Sequence, residues 1–240
     1  MDRPRTLAAA QSVPVRGDVD ANVEQHLLLV NDAAQQDVEV LVFPELSLTG
    51  YELDLATELA FSRDDARLRP LIDAAEEHAI KLVVGAPLRL GSALHIGAFI
   101  IDPGRAVDVY TKRYLGSGEE SFVRAGSLDP LIQVAGDPAA IAVCADTNRP
   151  SHPKQAAERG AKTYLVSSFI GPDQLEDRAR GMREYAMEYS MTVVLANYGG
   201  PSGGLEAAGS STIWSAQGEI LAQAGAVGVD LAVARPVDSP

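Results

Sequence analysis

Leu131-Ile132-Gln133-Val134-Ala135-Gly136-Asp137-Pro138-Ala139-Ala140-Ile141-Ala142-Val143-Cys144-Ala145-Asp146 is the stretch around which the rest of the chain is organised. Within it Ala140, Ile141, Ala142 and Val143 form a short apolar run that reads as a buried strand. Cys144, the single cysteine of the chain, follows directly. Then come Ala145, Asp146, Thr147 and Asn148, all small or polar, and Arg149-Pro150-Ser151-His152-Pro153 before a helical-looking stretch over 154–159. Strand, sharp turn and helix start is a geometry that holds a nucleophile at the carboxyl end of a sheet beside free amide N–H groups. A helix end and a nearby cation lower a thiol's pKa in such a place. The competing reading is inert core filling, since free cysteine is among the most buried residue types. The local sequence leaves both open.

Outward from this stretch the chain alternates strand-like and helix-like segments. Residues 6–11 predict a first strand, and Gly17-Asp18-Val19-Asp20 a turn ending in a helix cap. Over 21–36, Val23, Leu27, Leu28, Val30 and Ala34 recur at helical spacing. Residues 38–43 are a nearly continuous apolar run, a buried strand that stops at Pro44-Glu45. A helix is expected over 64–80, with strands at 81–87 and 94–102. Pro103-Gly104-Arg105 turns the chain, and 107–111 pairs back as a hairpin. A helix at 154–159 then precedes a strand at 163–167, a helix at 174–189, and strands at 192–197, 210–214 and 219–224. No linker or repeat interrupts the pattern, so 1–240 reads as one α/β domain with a sheet sandwich at its centre.

Composition narrows the function classes. The 240 residues, 46% of them apolar, suffice for a sizeable soluble core. A formal charge of −13 with no basic stripe argues against a nucleic-acid partner. A single cysteine rules out an intramolecular disulfide, and the apolar run near Met1 is too short for a secretory leader or a membrane span. The expectation is a cytoplasmic protein that binds neither nucleic acid nor membrane.

Against this map, the polar residues at strand ends carry information. Glu45 follows the 38–43 strand, beside apolar Leu46 and Leu48. Desolvation there raises a carboxyl pKa and suits it to general-base work, whereas a surface loop carboxylate is the plainer alternative. Lys112 follows the 107–111 strand, where a solvated lysine is the default. Glu119 and Glu120 lie in a Gly-Ser-Gly-Glu-Glu loop that by itself is merely flexible and acidic.

Taken together, three segments resemble the signatures of the nitrilase superfamily of carbon–nitrogen hydrolases. They are Val-Phe-Pro-Glu-Leu-Ser-Leu-Thr-Gly-Tyr at 42–51, Tyr-Thr-Lys-Arg-Tyr-Leu at 110–115 and Ile-Ala-Val-Cys-Ala-Asp at 141–146. Ala-Ala-Ala-Gln near the start, Gly-Asp-Val-Asp-Ala-Asn at 17–22, the 178–197 stretch, Gly209-Ser210-Ser211 and the 215–219 turn are also similar to the family. The resemblance covers almost the whole chain in the right order.

The resemblance implies an α-β-β-α sandwich and a Glu-Lys-Cys catalytic set, matched here by Glu45, Lys112 and Cys144. In that set the thiolate attacks an amide or nitrile carbon, and the glutamate takes the thiol proton and later activates water. Lys112 and the backbone N–H of Ala145 would stabilise the oxyanion. Amidase branches use a second glutamate after the lysine to position the substrate. Glu120 is the choice for that role, with Glu119 as the alternative. Ser168 and Phe169 end a strand that in the family faces the pocket. The reading assigns no metal and no cofactor.

Small Ala145, where many members carry a large or aromatic residue, weakens the nitrile reading. The segment 147–153 matches no subfamily signature, and the ending at Pro240 leaves no long C-terminal arm. The expected activity is therefore hydrolysis of a small amide. N-carbamoyl amide or nitrile hydrolysis, or a non-catalytic binding subunit, are the alternatives. Family members commonly pair through their helical layers, which implies a homodimer or higher homo-oligomer meeting at the 154–159 and 174–189 helices. Met182, Tyr185, Ala186, Met187 and Tyr189 make that second helix more apolar and aromatic than one buried stripe requires. The alternative is that Met182, Ala186 and Tyr189 face inward at i, i+4, i+7 and the others are incidental.

Overall fold

The computed structural model describes residues 6–235; Pro240, on which the reading of a C-terminal arm rests, lies outside the described residues, whereas the apolar run near the start forms the first strand. The first half runs β1 (Leu7–Gln11), α1 (Val19–Ala34), β2 (Val40–Val42), α2 (Arg69–His78), β3 (Lys81–Leu90), β4 (Ala93–Ile101) and β5 (Asp108–Thr111). The second runs β6 (Ile132–Val134), β7 (Asp137–Val143), α3 (Ser151–Glu158), β8 (Thr163–Ser167), α4 (Leu175–Tyr189), β9 (Thr192–Ala196), β10 (Thr212–Trp214), β11 (Ile220–Gln223) and β12 (Asp230–Ala234).

Side-chain alternation explains how these elements layer. In β1, Leu7 and Ala9 face one cluster while Ala8 and Ala10 face another, and all four are buried. In β7, Ile141 and Val143 likewise point one way and Ala140 and Ala142 the other. A strand apolar on both faces needs a layer on each side, which is why these strands read as unbroken apolar runs. The result is two six-stranded sheets, ordered β12-β1-β2-β3-β4-β5 and β11-β10-β9-β8-β7-β6. One core fills the space between them. A second lies between the first sheet and α1 and α2, and a third between the second sheet and α3 and α4. This is the expected four-layer α-β-β-α sandwich.

Strand direction gathers the site. β2 and β3 are parallel, and β4 and β5 each reverse direction, so β5 leaves the sheet at the same end as β2. In the other sheet β7, β8 and β9 are parallel. Ser167, at the end of β8, donates its hydroxyl to the Phe43 carbonyl at 2.7 Å and ties the strand ends of the two sheets together.

The structure corrects the reading in several places. The expected 64–80 helix is a short 3-10 turn, Ala66–Leu68, followed by α2, because Pro70 fits only the first turn of a helix. β7 extends back to Asp137 and pairs with β6 through a tight turn, with Ala135 and Gly136 both at positive φ. β12, which completes the first sheet against β1, was not expected. Of the 174–189 set, Met182 and Ala186 pack inward, Tyr185 and Tyr189 are half-buried, and Met187 is exposed. Among the described residues, no helix is long and apolar enough to cross a membrane, and no cluster of His, Cys, Asp and Glu is arranged to hold a metal ion.

Candidate active site

Glu45 comes off β2 in a loop that reverses sharply. Pro44 ends the ladder, and Leu46 adopts a left-handed φ of 55°. The loop runs so close to β3 that a Cβ on Gly85 would lie 2.3 Å from the Leu46 nitrogen and 2.6 Å from the Pro44 carbonyl. Only glycine fits there. From outside, His26 stacks on Phe43 at 4.0 Å and its Nε2 meets the Ser47 hydroxyl at 2.9 Å. From inside, the Tyr198 hydroxyl donates to the Glu45 carbonyl at 2.5 Å.

Lys112 follows β5, with its backbone held by Ile96 and Gly126. Its ammonium donates to Glu45 Oε1 and to Glu119 Oε1, each at 2.6 Å. Lys112 is 0% exposed and Glu45 and Glu119 are 1% exposed, so the three charges interact with little screening by water. Glu119 also accepts the Tyr51 hydroxyl at 2.6 Å and the Gly116 N–H at 2.7 Å.

Glu120 is a correction to the sequence reading. It is exposed and contributes to a surface groove with Arg89 and Phe122. Both glutamates sit in one 3-10 turn, where successive side chains point about 120° apart, so only one of two neighbours faces inward. Gly118, in the left-handed region at φ 88°, starts that turn and sets its register.

Cys144 occupies the sharp turn after β7 with φ 44°, a strained conformation for a non-glycine residue. It opens a 3-10 turn, Cys144–Asn148. The N–H of buried Ala145 lies in the first turn, where a helix offers it no acceptor. The thiol points to the Phe169 carbonyl at 3.7 Å, and Ser168 is buried beside it. Phe169 in turn packs between Tyr51 and Tyr198, at 5.1 and 5.2 Å, forming an aromatic wall. The structure thus brings together Glu45, Lys112, Cys144, Glu119, Ala145, Ser168 and Phe169, and leaves Glu120 outside.

The electrostatics separate a base from a nucleophile. Burial is the largest influence on Glu45 and pushes its carboxyl up to about 7, although Lys112 pulls the other way. Its Oε2 is buried and, apart from the Cys144 side chain, meets no donor. Burial also pushes the Cys144 thiol up to about 11, helped by the Glu45 charge and opposed by Lys112. For Lys112, burial acts to lower the ammonium pKa, but Glu45, Cys144 and Glu119 outweigh it and the net shift is upward. Burial thus favours the neutral thiol and raises the carboxyl toward neutrality, while Lys112 stays a fixed cation beside both.

One group essential to this geometry was not legible beforehand. Asp146 is fully buried. Its Oδ1 accepts the N–H groups of Arg113 and Tyr114 at 3.0 and 2.8 Å, directly after Lys112. Its Oδ2 accepts the Val143 N–H at 2.9 Å, directly before Cys144. In sequence it was simply one more small polar residue after the cysteine. A second strut comes from α4, where the Tyr185 hydroxyl donates to the Thr147 carbonyl at 2.9 Å.

The family model "Carbon-nitrogen hydrolase" matches residues 6–235. The chain is 28% identical over 191 residues to a 2-oxoglutaramate amidase of Bacillus subtilis (strain 168), covering 78% of this chain and 74% of that one. It is 25% identical to a nitrilase of Pyrococcus abyssi, covering 95% and 88%. Among solved structures it resembles a variant of the amidase from Nesterenkonia sp. AN1 that shows Michael addition of acrylamide at the active-site cysteine. There the TM-score is 0.87 at 26% identity, covering 98% of this chain and 93% of that one.

Proposed function

The chain belongs to the carbon–nitrogen hydrolase family, and on that premise we propose that it converts a small amide to a carboxylic acid and ammonia through a thioester on Cys144. The observation that carries this reading is the dry ion cluster of Lys112 with Glu45 and Glu119, set beside a thiol on a strained turn. As Sγ bonds the amide carbon, the thiol proton passes to Glu45 and the carbonyl electron pair moves onto oxygen. The Lys112 ammonium and the Ala145 N–H meet that oxyanion. Collapse re-forms the carbonyl and breaks the C–N bond while Glu45 returns its proton to the leaving nitrogen, so ammonia departs and the thioester remains. Water then adds to the thioester carbon and gives a proton to Glu45. The second collapse breaks the C–S bond, and the proton returns to sulfur as the acid leaves. Throughout, Glu119 fixes Lys112 and presents a carboxylate to the substrate amide.

Hydrolysis of a nitrile or an N-carbamoyl group would use the same residues, whereas a binding subunit would use none of them as a reacting group. An ammonia-release screen over small amides, ω-amides, carbamoyl compounds and nitriles, with Cys144→Ala as the blank, separates these readings. Amide turnover abolished in the blank is expected. No release from any amide by folded protein would overturn the proposal. We also propose that two copies meet across α3 and α4, where Met187 is 44% exposed. Light scattering should give twice the 25.3 kDa of one chain, falling to one chain in Met187→Glu. A single-chain mass for the unaltered protein would refute the dimer.

A further inference from the structure

Asp146 is held by four donors, the N–H groups of Arg113, Tyr114 and Val143 and the hydroxyl of Tyr110 at 2.6 Å. Every one of these contacts gives a hydrogen, so the carboxylate acts as acceptor throughout. The Tyr110 hydroxyl has spent its proton on Asp146, so its remaining contact must be as an acceptor. That contact is His152 Nε2 at 2.9 Å, which therefore carries the ring hydrogen. Nδ1 of a neutral ring is then bare, and it accepts the Tyr164 hydroxyl at 2.8 Å. Burial holds the imidazole well below its usual pKa, at about 4, in keeping with a neutral ring.

Each hydrogen in this chain has one place to go, so the network runs in a single direction. Tyr164 donates to His152, His152 to Tyr110, and Tyr110 to Asp146. All four members are buried, at no more than 2% exposure, so water cannot substitute for a missing partner. The chain starts on β8 of the second sheet, passes through α3 and crosses to β5 of the first sheet. It ends on the carboxylate that grips both the residues after Lys112 and the residue before Cys144. His152 belongs to the 147–153 segment that the family resemblance leaves unexplained.

We infer that His152 and Tyr110 are positioning residues, which with Tyr164 fix Asp146 and through it the placement of Lys112 relative to Cys144. The inference rests on Cys144 being the nucleophile of the proposed function. Neither residue touches the reacting atoms. What they set is how well the Lys112 ammonium meets the thiolate and the oxyanion, an effect on kcat rather than on substrate binding.

Four variants test this: Tyr110→Phe, His152→Phe, His152→Gln and Tyr164→Phe. Two readouts are taken, kcat per titratable thiol on the best amide, and the pH profile of Cys144 alkylation by iodoacetamide, which needs no substrate. Tyr110→Phe and His152→Phe should lower kcat about tenfold, the scale of one lost buried hydrogen bond, with KM changed less than about twofold. Their alkylation profiles should move to higher pH as Lys112 loses its hold on the thiolate. His152→Gln, whose amide N–H can replace Nε2–H toward Tyr110, should recover most of both. Unchanged kcat per thiol together with an unchanged profile in the two Phe variants would overturn the inference, leaving only a packing role. Should either fail to fold, Tyr164→Phe decides by its profile, an upward shift supporting the relay and no shift refuting it. A wild type that alkylates normally but hydrolyses no amide would instead count against the proposed function.

Discussion

Glu45→Gln separates the two effects that Glu45 exerts on the thiol. The substitution keeps the shape and an oxygen for the Lys112 ammonium at the present 2.6 Å, but removes one of the two buried negative charges beside it. The thiol, pushed up to about 11 by burial and then by the Glu45 charge, loses the second of those influences while Lys112 stays. Removing one like charge at this range should lower the thiol pKa by about one to two pH units. Iodoacetamide should therefore alkylate Cys144 at lower pH in the variant than in the wild type. Turnover should go the opposite way. No group remains to carry the proton from sulfur to the leaving nitrogen, and a loss of about 10²–10⁴ in kcat follows from removing a general base. The paired assay is alkylation rate against pH and ammonia release on the same samples. A variant that keeps more than about a tenth of wild-type turnover, or whose alkylation moves to higher pH, would refute the assignment of Glu45 as the base.

The pH profile of kcat/KM should rise toward neutrality, because burial lifts Glu45 to about 7 and only its ionised form can take the thiol proton. Steady-state rates from pH 5 to 9 check this, and a flat profile below pH 6 would contradict it. Lys112→Arg should lose nearly all turnover, since a wide planar fork cannot fit where a compact ammonium contacts Glu45 and Glu119 at 2.6 Å each. Glu119→Gln should cost about 10²-fold or more in kcat, as expected for weakening a buried charged contact in the reacting site. Glu120→Gln should leave kcat within about twofold, because exposed side chains remote from the reacting atoms rarely matter. The reverse order would restore the sequence-based choice of Glu120.

The resemblance of three separated segments, not the local pattern, singled out the three central residues, for each follows a strand-like run where a surface carboxylate, a solvated lysine or an inert core cysteine reads equally well. Val38 to Phe43 leads to Glu45, Val107 to Thr111 to Lys112, and Ala140 to Val143 to Cys144. The choice between Glu119 and Glu120 was not legible, since it depends on the phase of a single 3-10 turn set by Gly118. Asp146 and His152 were hidden for a different reason. Of their partners, Tyr110, Arg113 and Tyr114 lie far along the chain, and nothing local marks a polar residue as buried. β12 was missed in the same way, because its pairing partner is β1 at the other end of the sequence and its own alternation is short and partly exposed.

The central claim is that Cys144 carries the acyl group. Intact-protein mass spectrometry after rapid acid quench, with a slowly hydrolysed amide, tests it most directly. The account predicts a mass gain equal to the acyl group, located by digestion on the peptide containing Cys144, discharged by hydroxylamine and absent from Cys144→Ala. Full turnover by Cys144→Ala, or an adduct on any other residue during turnover, would contradict it.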